Sequence, residues 1–139
     1  MLRNIGAVIV GLLVGMLVNI IIINLNTLVF PLPEGVSLSD QEALKAIIAD
    51  QPAAAWIGVI LAHLGQAFVG GWVAARLGAS RPVLLAMIVG ALTLAGGIAN
   101  AIMMPIPTWV LIELPLYLLV AWFAGRIEEK RRSGLPEAA

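Results

Sequence analysis

NTLVFPLP (residues 26–33) returns, with changes, as NAIMMPIP (residues 100–107). Both stretches read Asn, three residues, a bulky apolar residue, Pro, an aliphatic residue, Pro. Proline disfavours the helical region for the residue before it, so a helix running into either stretch must stop near Phe30 or near Met104. Two helix ends therefore lie seventy-four residues apart, with Asn26 matching Asn100. At the same offset Asn19 matches Thr93. Asn19 and Asn26 are seven residues apart, two helical turns, and share a face.

A second match runs at an offset of fifty. GGWVAARL (70–77) resembles VAWFAGRI (120–127), pairing Trp72 with Trp122 and Arg76 with Arg126. The two offsets differ by twenty-four residues, about the length of a connection that the second half lacks. This pattern predicts two tandem helix pairs in the same orientation, related by a pseudo-twofold axis along the membrane normal.

Composition places these helices in lipid. The chain has 139 residues, 61% of them hydrophobic and only 12% charged, and its mean hydropathy is +1.03. Soluble domains are about half apolar and roughly a quarter charged. The apolar runs are continuous, and about 20 residues at 1.5 Å each cross the hydrocarbon core. The prediction is an all-α polytopic membrane protein forming a single domain. Its four spans are 5–25, 53–77, 83–103 and 109–127, followed by a solvated tail at 128–139. Span 1 is longer than the h-region of a signal peptide and has no small-x-small cleavage site after it, so it is expected to stay. No cysteine is present, which excludes thiolate chemistry and disulfides. Zero net charge offers no basic field for nucleic acid.

Lys and Arg near span ends set direction. Arg3, Arg76, Arg81, Arg126, Lys130, Arg131 and Arg132 gather on one side, whereas the connection after span 1 carries Glu34, Asp40, Glu42 and Asp50 against Lys45. Both termini are expected to be cytoplasmic, in an inner (plasma) membrane. Trp72, Arg76, Trp122 and Arg126 are the expected interface anchors, an indole and a guanidinium one turn apart in each pair. In the outer connection, Ser39 and Glu42 have capping-box spacing, and Leu44, Ile47 and Ile48 share a face. A short amphipathic helix over 39–49 is expected, with Pro52 in the first turn of span 2.

His63 and Glu113 lie deep in the spans and are also fifty residues apart, each thirteen residues before an arginine of the second match. They should sit at one depth, about 20 Å from those arginines. Charged groups in lipid are costly and usually face the bundle interior, so the two are expected to meet there. Gln66 shares a face with His63 and Tyr117 with Glu113. Asn19, Asn26, Thr93 and Asn100 reach the same region from the other helices. Pro115 cannot donate to the Leu111 carbonyl, which predicts a kink in span 4 and a free acceptor. The expected cluster is either interhelical glue or a proton-linked or ligand-binding site. No nucleophile with a base is visible, one His and one Glu fall short of a metal site, and no cofactor is indicated. The pairs Gly11/Gly15, Ala86/Gly90 and Ala121/Gly125 let helices approach closely, within the chain or in a homo-oligomer.

With FPLPEG after span 1, PIPTW before span 4, and its small size, the chain resembles an uncharacterised family of small four-span bacterial integral membrane proteins. That resemblance brings no activity or site residue with it. The small multidrug transporters also have four spans and a membrane glutamate, but theirs lies in the first span and Glu113 in the fourth. Two functions fit. One is a structural or accessory bundle that meets a membrane-protein partner. The other is a small proton-linked transporter or binder of an apolar small molecule.

Overall fold

A computed structural model describes residues 1–37 and 39–134. The described residues are helical, with no strand, and the element order is α1 (Leu2–Val29), α2 (Gln41–Ile47), α3 (Ala53–Leu77), α4 (Pro82–Met103) and α5 (Glu113–Ser133). Short 3₁₀ segments at Ile48–Asp50 and Thr108–Ile112 precede α3 and α5. Four helices are long and apolar enough to cross a membrane: α1, α3, α4, and α5 with its 3₁₀ lead-in. The prolines act where the sequence puts them, for α1 ends at Val29 and α4 at Met103, each beside its Pro-x-Pro.

Two local expectations are corrected. The cap of α2 is Asp40, whose carboxylate accepts from the Ala43 N–H at 3.0 Å. Ser39 is instead engaged with the Ser37 hydroxyl at 2.9 Å, so the helix starts one residue late. Pro115 produces no kink within a long α-helix. It sits in the first turn of α5, where a missing N–H costs nothing. The residues before it wind as a 3₁₀ helix, and the Glu113 N–H reaches back to the Leu111 and Val110 carbonyls. The acceptor expected to be free is therefore used. Pro52 directly precedes α3 as its cap.

α3 is the central helix, packing on α1, α4 and α5; α4 also packs on α5, while α1 leans on α3, barely meets α4 and does not pack on α5. Small residues set the closest approaches. A Cβ on Gly11 would lie 2.5 Å from the Gly70 carbonyl oxygen, and one on Gly15 2.6 Å from that of Gln66. In the other pair a Cβ on Gly125 would lie 2.7 Å from the Val83 Cα, and one on Gly90 would collide with Ala121. All three small-residue pairs are thus used within the chain. Ala74, Leu85 and Val89 form the buried core, with Val8 and Leu12 packed against them.

The end carrying the termini is locked by polar groups, and here the predicted tail is corrected. α5 continues to Ser133, and Glu128 is fully buried. Its carboxylate accepts from Arg76 at 3.3 Å, Arg131 at 2.6 and 2.7 Å, and Arg132 at 3.0 Å. Arg132 also donates to the carbonyls of Ala75 and Gly78, the latter at 2.9 Å. Helix ends leave such carbonyls without partners, and a cation there suits the helix dipole. From α1, Arg3 donates to the Leu77 carbonyl at 2.9 Å, and Asn4 bonds Ser80 and the Ala79 N–H. The remainder of the tail, 135–139, lies outside the described residues.

Candidate functional site

α3 and α5 bring the two deep ionisable side chains together. His63 Nδ1 lies 3.0 and 3.2 Å from the two Glu113 oxygens. Glu113 is the first residue of α5. Tyr117, one turn on, donates its hydroxyl to Glu113 Oε1 at 3.2 Å and stacks on the His63 ring with centroids 6.2 Å apart. Glu113 is only 3% exposed and Tyr117 only 1%. Gly97 makes room for the phenol, since a Cβ there would come within 2.7 Å of the hydroxyl oxygen. A neutral imidazole with its proton on Nδ1 donates to the carboxylate and keeps Nε2 as an acceptor; a second proton makes the couple ionic.

The triad is not sealed in the bundle. His63 lines two cavities that meet at His63 and Asn100. One, of about 200 Å³, lies at the α2 end and is almost wholly apolar. Leu44 and Ile47 of α2 border it, together with Ile23 and Phe30 of α1 and Trp56 of α3. Trp56 Nε1 is, among the described residues, the buried side-chain polar atom without a hydrogen-bond partner. The other, a crevice of about 410 Å³, is lined from α1, α3, α4 and α5. Its walls include both α1 and α4, which pack on each other less than either packs on α3.

The remaining expected residues divide between these spaces. Asn19, Gln66, Thr93 and Asn100 line the crevice along with Tyr117. Thr93 donates to the Val89 carbonyl of its own helix at 2.9 Å. Asn26 lies by the apolar cavity and donates to the Ala55 carbonyl of α3 at 3.0 Å. Gly58 makes that bond possible, because any Cβ there would overlap the Asn26 amide. Asn26 and Asn100, matched in sequence, thus differ in use. Trp72 and Trp122 are exposed near the terminal end. Arg126 lies over the Trp122 ring at 5.7 Å and pairs with Glu129, whereas Arg76 turns to Glu128.

Sequence reasoning missed Glu128, Arg132 and Trp56. The first had a signal: Tyr117, Ala121, Ala124 and Glu128 follow one helical stripe, and all are buried. Trp56 stands two turns before His63 on the same face. The chemistry available is proton holding and hydrogen bonding in a largely apolar space. The Thr93 hydroxyl is tied to backbone, so it is no nucleophile. No family model, curated protein or solved structure matches the chain.

Proposed function

We propose that this is an integral protein of a bacterial inner membrane, both termini cytoplasmic, that takes an apolar small molecule from the bilayer into its bundle. His63 and Glu113 form the proton-sensitive pair at that site. The observation that carries the reading is the position of His63 and Tyr117: His63 lines both of two neighbouring cavities and Tyr117 lines one of them, instead of closing a solid core. Ligand sites are typically about 300–1,000 Å³, mostly apolar with a few convergent polar groups, and the crevice, about 410 Å³, falls in that range. The titratable groups packed on His63 are Glu113 and Tyr117.

Direction is supported by charge. Seven Lys and Arg residues between Arg3 and Arg132 gather at the terminal end, and Glu34, Asp40, Glu42 and Asp50 at the other. In this reading α2 is an amphipathic lid, with Leu44 and Ile47 on the cavity and Glu42 and Asp50 exposed. An internal duplication is supported by the packing registers. Gly11 and Gly15 meet Gln66, Gly70 and Ala74, while Ala86 and Gly90 meet Tyr117, Ala121 and Gly125. The registers run one residue beyond the sequence match. The asymmetric seat of α1 then marks where the copies diverged to open the crevice.

The second reading, an accessory bundle, draws on Glu113 bonding both His63 and Tyr117, as interhelical glue would. One experiment separates the two. A chain keeping Trp56 as its one tryptophan (Trp72, Trp109 and Trp122 changed to Phe) is reconstituted in phosphatidylcholine vesicles and titrated with dibrominated stearate methyl ester, a contact quencher. The ligand reading expects saturable quenching that responds to pH, with the pH dependence lost in Glu113→Gln. Quenching that never saturates, with Glu113→Gln altering stability alone, supports the accessory reading.

A further inference from the structure

The polar side chains within the spans fall into three groups. Asn24 donates to the Ile20 carbonyl at 2.7 Å and Thr27 to the Asn24 carbonyl at 2.8 Å, both on their own helix, as Thr93 does. Asn26, His63, Glu113 and Tyr117 have partners on other helices or within the triad. Asn19, Gln66 and Asn100 are different. Among the described residues none of their amides makes a hydrogen bond, and all three line the crevice. In hydrocarbon an unpartnered amide is costly. A helix offers an idle amide its own backbone, as Asn24 demonstrates. Yet two half-buried carboxamides, from α1 and α3, and an exposed one in the last turn of α4 leave that option unused around one space.

We infer that the crevice binds the uncharged, hydroxyl- or amide-bearing head of an amphiphile, recognised by Asn19, Gln66 and Asn100, with its aliphatic chain in the apolar cavity beside α2. This rests on the ligand-binding reading above and names the ligand class. Each carboxamide supplies donors and an acceptor without net charge, which suits groups that both give and take hydrogen bonds. No Lys or Arg lines either space, and the one imidazole that lines them, His63, is already paired with the Glu113 carboxylate, so a phosphate or carboxylate head finds no free counter-charge. Glu113 lines neither and is already bonded to His63 and Tyr117, so an ammonium head finds none either. The sparse contact between α1 and α4 leaves a sideways route from the bilayer.

The test uses the full chain in phosphatidylcholine nanodiscs, with bound probe counted by native mass spectrometry. Monoolein has two hydroxyls and an ester; methyl oleate has the same chain and no hydroxyl; oleate and oleylamine carry opposite charges. Monoolein is expected to bind at least ten-fold more tightly than the other three. Gln66→Leu and Asn100→Leu should each weaken monoolein about three- to ten-fold, the effect of losing one hydrogen bond, and leave methyl oleate unchanged. Methyl oleate binding as tightly as monoolein, or leucine variants without effect, overturns the head-group inference while the chain-binding reading stands. Retention of no probe by the wild-type chain overturns both. Should a leucine variant not fold, the wild-type comparison of monoolein with methyl oleate decides alone.

Discussion

The two ends of the bundle use polar residues in opposite ways. At the terminal end nearly every polar group has work in the fold: Glu128 takes three arginines, Arg132 and Arg3 cover the last carbonyls of α3, and Asn4 holds the turn before α4. At the α2 end and along the α1–α4 crevice, amides and an indole N–H have no partner, and the glycine Gly96 has nothing within 4 Å of its would-be Cβ. The contrast teaches that one end fixes the structure and the other spends structure on open space. His63, Glu113 and Tyr117 stand at the boundary: Glu113 bonds the other two, while His63 and Tyr117 border the cavities.

Breaking the locked end should have the largest effect. Glu128→Ala leaves arginines gathered around an empty site. It is expected to destabilise the bundle by about 3 kcal/mol, the lower part of the range for a broken buried ion pair, because those arginines reach solvent. Unfolding in mixed micelles measures it; a loss below about 1 kcal/mol would remove the lock from the account. Gly11→Leu comes next. Overpacking costs about 1–3 kcal/mol, and α1 should move off α3, read as a longer spin-label distance between the two helices. Gly96→Ala is its control and should change stability by no more than about 0.5 kcal/mol. The smallest effects sharpen the comparison most. Asn26→Leu removes a bond to Ala55 and should cost about 1 kcal/mol. Asn100→Leu, at the matching position, should cost nothing beyond about 0.5 kcal/mol.

Much of the fold was legible because lipid imposes simple rules. Twenty apolar residues make a span, and Pro-x-Pro ends it, so the limits of α1 and α4 follow from Phe30-Pro31 and Met104-Pro105. His63 and Glu113, expected from the sequence to meet, are in contact. What stayed hidden depends on geometry that no short window encodes. The winding of 108–112 as a 3₁₀ helix turns Pro115 from a kink into a first-turn residue. The burial of Glu128 requires knowing that α5 runs on past Arg126 and returns along α3. Whether an amide is bonded or idle, the difference between Asn26 and Asn100, depends on where α1 and α4 separate. Matching sequence cannot report that, because both positions read as Asn before Pro-x-Pro.

The central claim is that the crevice amides serve a ligand and not the fold. It is tested most directly by replacing all three, Asn19→Leu, Gln66→Leu and Asn100→Leu together, and measuring unfolding free energy and monoolein retention on the same protein. The account predicts a bundle at least as stable as the parent that no longer holds monoolein. A variant destabilised by about 2 kcal/mol or more, the sum expected for several interhelical hydrogen bonds, with monoolein still bound, would contradict it.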